Sequence, residues 1–243
     1  MDLELILRHA EEHVNAGEFD SGHYEIAVGL LGKAIELDSE DVMTYRYRGF
    51  SLHRLNRDEE AIEDFTKVIN LAPDSTAYYF RGDSLSKLDR HEKAIEDFTQ
   101  VIDLNIDHQG AYFERSNSLR KLGRHEEVVD DLTKLINLNP KLWIVYNNRG
   151  FSLNVLGRYE EAIEDLTQGI EIEPEFLGLY AHRGDAHRLL DNVEFSEKDY
   201  KTAIELFDQE DEKSIYCYKQ AIRAERGLIK LGILKEGEIE QKL

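Results

Sequence analysis

One spacing governs this chain. Small or short apolar residues recur at Ala27, Ala61, Ala94, Val128 and Ala162, in steps of 34, 33, 34 and 34, and a further step of 34 reaches Ser196. Around four of these marks the text scarcely changes, reading EEAIEDF, EKAIEDF, EEVVDDL and EEAIEDL. A second text precedes them in fixed phase: Tyr45-x-x-Arg48-Gly49, Tyr78-x-x-Arg81-Gly82, Tyr112-x-x-Arg115-Ser116, Tyr146-x-x-Arg149-Gly150 and Tyr180-x-x-Arg183-Gly184. Self-similarity at this period means stacked supersecondary units, none of which can bury its apolar face alone.

Each unit reads as two amphipathic helices. Between Trp143 and Pro174, apolar residues recur at three- and four-residue steps: Tyr146, Leu153 and Leu156, then Ala162, Ile163 and Leu166. Gly157 divides the two halves, and Asn56, Asp89, Gly123 and Asp191 hold the same place in other units. All are types that accept left-handed or turn geometry, which closes a helix. The three prolines, Pro73, Pro140 and Pro174, share one phase and interrupt no helix.

This pattern resembles the tetratricopeptide repeat. Tyr146, Gly150, Ala162, Leu166, Gly169 and Pro174 stand where that family places an aromatic, small residues, a large apolar residue and a proline. The resemblance implies an all-α fold: a right-handed α-solenoid of about six helical hairpins plus a C-terminal capping helix, without β-sheet. The expected repeats are residues 3–41, 42–74, 75–108, 109–142, 143–176 and 177–210, in a single solenoid over 1–243. A capping helix over 213–232 and a short tail over 233–243 follow. The first repeat carries about five extra residues at its turn, near 18–25.

Composition narrows the partners. A net charge of −20 argues against nucleic acid, which needs a basic footprint, and against an anionic membrane surface. The single cysteine, Cys217, cannot form an internal disulfide, as suits a reducing compartment. The first residues, MDLELILRHAEEH, lack the basic start and apolar run of a secretory signal, and no stretch spans a bilayer. The cytoplasm is the expected location.

The polar patterns favour architecture over chemistry. Arginine and aspartate recur together: Arg48 with Asp64, Arg81 with Asp97, Arg115 with Asp131, Arg149 with Asp165, Arg183 with Asp199. A planar guanidinium suits a carboxylate on the facing helix, so these are expected to staple each hairpin internally. The acids of Asp58-Glu59-Glu60 and Glu160-Glu161 open the second helices, where negative charge suits the helix dipole, and are expected on a solvated outer side. His9 and His13 are four apart but lack a third ligand, so no metal site is expected. No phosphate loop, nucleophile elbow or cofactor motif appears. The expectation is no cofactor and no enzyme activity.

Function is expected on the other face of the first helices, which in the resembled family lines a concave groove. Here that stripe holds Arg46, Tyr47, Phe50, His53 and Arg54 in the second unit, and Tyr79, Phe80, Asp83 and Lys87 in the third. It continues with Phe113, Glu114, Asn117, Arg120 and Lys121, then Asn147, Asn148, Phe151 and Asn154, then His182, Asp185 and Arg188. Amides offer a donor and an acceptor to an extended peptide backbone. The basic members favour an acidic or carboxylate-bearing segment, with the amides and aromatics of the fourth and fifth units dominating. Asn117 and Asn148 match the asparagines of the chain-terminal carboxylate clamp found in some relatives. Phe113, Gly178 and His182 stand where that clamp needs cations, so such a clamp is not expected. The favoured reading is a non-catalytic scaffold or adaptor binding a protein or peptide. The alternative is a structural or regulatory subunit that assembles, or self-associates, through its outer face or ends.

Overall fold

The computed structural model describes residues 3–16, 21–37, 40–209 and 215–234. Among the described residues there are thirteen α-helices and no strand, as the period predicts. They are α1 (Leu3–Ala16), α2 (Ser21–Leu37), α3 (Val42–Arg54), α4 (Asp58–Leu71), α5 (Ser75–Lys87), α6 (His91–Leu104) and α7 (Gln109–Lys121). The remainder are α8 (His125–Leu138), α9 (Trp143–Val155), α10 (Tyr159–Ile172), α11 (Leu177–Leu189), α12 (Val193–Gln209) and α13 (Ile215–Lys230). Odd-numbered helices up to α11 open hairpins and are called A helices below; even-numbered ones are B helices. The lengthened first turn falls partly on residues 17–20, and most of the tail on 235–243, outside the described residues. No helix among the described residues is long and apolar enough to cross a membrane.

The hairpin turns form where the sequence allows positive φ. Asn56, Asp89 and Asp191 sit at φ of 57°, 57° and 58°, and Gly123 and Gly157 at 72° and 76°. A non-glycine residue enters this region only with a short polar side chain, which is why asparagine and aspartate alternate with glycine here. The A helices α3 and α5 start at capping aspartates: Asp41 accepts from the Thr44 amide at 2.9 Å, and Asp74 from the Ala77 amide at 3.0 Å.

The B helices α4, α6, α8 and α10 start differently. Their N-cap residues are Arg57, Arg90, Arg124 and Arg158, with no side-chain cap. Arg57, Arg124 and Arg158 instead make bidentate bonds of 2.6–2.7 Å to the glutamate three residues on, Glu60, Glu127 and Glu161. Arg90, which has Lys93 at that place, reaches Glu59 of the preceding hairpin at 2.5 Å. Most first-turn acids are exposed as expected, but Asp58 is not. It is 6% exposed and faces His53, so it belongs to the interior.

The chain divides into two compact units, residues 1–122 and 123–243. In the first, each of α1 to α7 packs on the next, and α1, α3, α5 and α7 also meet in succession. Its cores gather Ala10, Val14, Ala27 and Leu31, then Leu52, Ala61, Phe65, Val68, Ile69 and Ala77. In the second, α8 to α13 pack in order, with α11 also against α9 and α13. One core holds Val129, Leu153, Ala162, Leu166, Leu179 and Ala186. The other joins Leu177, Ala181, Tyr200, Ala203 and Phe207 to Cys217, Ala221, Ala224 and Leu228 of α13, the expected cap.

Small residues at one repeat position are explained by their neighbours. A Cβ on Gly49 would stand 3.1 Å from the Phe65 ring, on Gly82 3.0 Å from Phe98, and on Gly150 2.6 Å from Leu166. The large residue opposite is fully buried each time, which stabilises a hairpin by roughly 1.5–3 kcal/mol.

The arginine–aspartate staples form within hairpins. Nε and Nη2 of Arg48, Arg81, Arg149 and Arg183 donate to both oxygens of Asp64, Asp97, Asp165 and Asp199, at 2.6–2.8 Å. Nη1 does more than the sequence predicted. Arg81, Arg115, Arg149 and Arg183 donate it to Thr66, Thr99, Thr133 and Thr167 of the preceding B helix, at 2.8–3.1 Å. One guanidinium thus closes its own hairpin and ties it to the one before. Burial pushes the Asp64 and Asp97 carboxyls up, and the guanidinium opposite pulls the other way without cancelling it.

Candidate functional site

The A-helix stripe is only partly a surface. In the first unit, Arg46, Tyr47, Phe50, Tyr79, Phe80, Phe113, Asn117 and Arg120 are half-buried, while Arg54, Lys87 and Lys121 are exposed. The aromatics form one array. Phe80 meets Phe50 edge-on at 5.2 Å and Tyr79 at 5.6 Å, and stacks on Phe65 at 5.9 Å. Tyr79 also packs on Phe98, and burial pushes its phenol up. The Tyr47 hydroxyl donates to Glu11 of α1 at 3.2 Å, and burial together with that carboxylate raises its pKa.

The cations are unequally engaged. Arg46 is tied to Asp74 at 2.5 Å, and Lys87 lies 3.8 Å from Asp83. The Arg54 guanidinium lies 5.8 Å from the Tyr24 ring centroid, and among the described residues no carboxylate pairs with it. Asn117 donates to Glu114 at 3.3 Å, yet burial still pushes the Glu114 carboxyl up.

His53 leaves the surface stripe. It is 6% exposed, with Nδ1 2.9 Å from Ser84 Oγ and 3.2 Å from Asp58, and Nε2 3.1 Å from Asp83. Burial would raise Asp83, but His53 and Lys87 outweigh it and hold the carboxyl below its ordinary value. The cluster links α3, α4 and α5 as interior polar packing.

In the second unit two expected surface residues are withdrawn. Asn147 and His182 are 3% and 4% exposed, and Asn147 Oδ1 lies 3.1 Å from His182 Nδ1. They satisfy each other between α9 and α11, so neither offers a free group to a partner. The Asn154 amide donates to the His182 carbonyl at 2.8 Å, and Asn147 donates to Asn148 at 3.2 Å. Asn148, Phe151, Asn154 and Arg188 remain half-buried. One contributor was not anticipated: Arg223 of the capping helix lies 5.4 Å from the Phe151 ring centroid and 3.4 Å from Asp185. Its position follows from how α13 docks on α11, which no repeat register encodes.

Among the described residues of the first unit, three cavities bear on the site. Those of about 220 and 340 Å³ are walled by polar and charged groups beside the staples, with Arg81 and Asp97 in one and Arg48, Arg57 and Glu60 in the other. The third, of about 230 Å³, is lined by Val14, Arg46, Tyr47, Phe50, Phe65, Thr76 and Phe80. Four of those seven belong to the stripe expected from sequence. Val14, Phe65 and Thr76 do not, since the first two read as ordinary core positions. Among the described residues no group of three or more metal-ligating side chains converges.

Stacked helical hairpins with left-handed turn residues, small-to-large packing pairs and half-open A-helix faces define a helical repeat protein built for interaction. The tetratricopeptide repeat model matches residues 17–76, 75–108, 110–142 and 143–176, and the chain belongs to that family. No curated protein matches the sequence. Among solved structures, YrrB, described as a TPR protein with an unusual peptide-binding site, is 21% identical with a TM-score of 0.69. That match covers 81% of this chain and 97% of YrrB. A crystal structure of MamA is 21% identical, TM-score 0.66, covering 72% of this chain and 97% of that one. MamA from Desulfovibrio magneticus RS-1 is 20% identical, TM-score 0.67, covering 70% and 97%. At these identities the likeness shows the fold.

Proposed function

We propose that this protein is a non-catalytic binding module whose A-helix faces receive a segment of another protein. The supporting observation is a contrast between faces. At the starts of the B helices, most charged groups are already paired with one another through Arg57, Arg90, Arg124 and Arg158. On the A helices, aromatic rings and amides stay half-open beside cations. Large rigid rings supply contact area at low entropic cost, and amides can bond an extended backbone. YrrB, a TPR protein of the same fold with an unusual peptide-binding site, is in keeping with this reading.

The test is capture of partners from the native cell by the full chain and its variants. Asn148→Ala with Phe151→Ala is expected to weaken capture at a temperature where circular dichroism shows the variant still fully helical. Reversing charge at the exposed Glu160 and Glu161 is expected to change little. If the outer pair abolishes capture and the A-helix pair leaves it intact, assembly through the outer face replaces this reading.

A further inference from the structure

Resting on that reading, we infer that the cavity walled by α1, α3, α4 and α5 is a subsite for one aromatic side chain of the partner segment, with a carboxylate beside it. Size comes first. An apolar cavity of about 150 Å³ takes up a benzene ring, and this one measures about 230 Å³. It holds one phenyl or indole group and little more. Its open wall is carbon, so a polar side chain entering it would lose its hydrogen bonds to water without replacement.

Ring geometry selects aromatic over aliphatic. Phe50 and Phe80 are already perpendicular at 5.2 Å, and Phe65 and Phe80 nearly parallel at 5.9 Å. Phe65 is fully buried behind Phe80, so the half-open rings are Phe50 and Phe80, and an incoming ring that stacks on one of them meets the other edge-on, the two arrangements in which ring pairs attract. Val14, 8% exposed, lines the cavity from α1, while Thr76 is exposed.

Charge defines what flanks the ring. Arg54 lies over Tyr24, which meets Phe50 edge-on at 6.1 Å, so an unpaired guanidinium sits beside the aromatic wall. Arg46, on the wall itself, is neutralised by Asp74. A carboxylate next to the anchor ring would meet the Arg54 charge, which a lysine there cannot.

The probes are three capped pentapeptides titrated into the full chain and followed by amide chemical shifts: Ala-Asp-Phe-Asp-Ala, Ala-Asp-Ala-Asp-Ala and Ala-Lys-Phe-Lys-Ala. The first is expected to shift α1, α3 and α5 signals around Val14, Phe50, Thr76 and Phe80. Replacing the ring or reversing the flanking charge is expected to weaken binding at least about tenfold, or roughly 1.4 kcal/mol. Thr76→Trp, at an exposed position, is expected to fill the cavity mouth and abolish those shifts with melting no lower than wild type. Arg54→Glu is expected to erase the preference for aspartate over lysine. Shifts that survive Thr76→Trp, shifts confined to other helices, no shift at millimolar peptide, or equal binding of the lysine peptide each overturn the subsite. If the subsite fails while Asn148→Ala with Phe151→Ala still weakens partner capture, only the subsite is lost. If that pair also has no effect, the A-helix reading falls with it.

Discussion

Truncating Arg149 to alanine tests how the hairpins are held. Arg149 gives two bonds of 2.6 Å to Asp165 and one of 2.8 Å to Thr133, and its loss strands a carboxylate whose side chain is 9% exposed. Breaking a fully buried ion pair costs about 3–5 kcal/mol, and orphaning a buried hydrogen-bonding group about 1–3. Arg149 is itself 18% exposed, so water can enter the space it leaves and rehydrate Asp165 in part. The expected loss is about 2–3 kcal/mol. For a chain of this size that lowers the melting point by roughly 5–10 °C. Arg158→Ala is the control: its pair with Glu161 is 37% and 55% exposed and is worth about 0–1 kcal/mol. Arg149→Met with Asp165→Leu is expected to recover most of the loss, because desolvating both charges offsets much of their attraction. Thermal unfolding by circular dichroism decides. If Arg149→Ala melts with wild type, or no lower than Arg158→Ala, the staple is surface decoration and the reasoning is wrong.

Other consequences are as direct. A Cβ on Gly227 would stand 2.2 Å from the Tyr200 ring, which is fully buried and is met from the other side by Gly184, whose Cβ would stand 2.8 Å away. Gly227→Ala is therefore expected to destabilise the second unit by about 1–3 kcal/mol, measured by urea unfolding. Burial holds His187 below its ordinary value of 6.5, so the unfolded chain takes up a proton first as pH falls. Stability is then full above about pH 6.5 and declines below it towards the lower folded value. His187→Phe is expected to shrink the difference in melting point between pH 7.5 and 5.5.

The fold was legible because its signals repeat. A period of 34 fixes helix phase, and the left-handed residues at Asn56, Asp89, Gly123, Gly157 and Asp191 fix where hairpins turn. The capping helix was legible from Ala221 and Leu228, both buried. The candidate stripe was legible as a direction on the A helices, not as a depth. Asn147 and His182 lie on the predicted stripe, but each is the other's partner across 35 residues, and periodicity carries no such pairing. Asp58 reads as one of a run of exposed acids, yet His53 draws it inside. The cavity beside Phe50 adjoins Val14 of α1 and Phe65 of α4, buried residues whose core-like pattern gives no sign in the sequence that a cavity lies next to them.

The central claim is that partners meet A helices. The most direct measurement is amide hydrogen exchange of the full chain, alone and with the protein that co-purifies from its native cells. Slowed exchange is expected in α3, α5 and α7 of the first unit and in α9 and α11 of the second, with α4, α6, α8 and α10 unchanged. Protection confined to those B helices, with the A helices unaltered, would contradict the account.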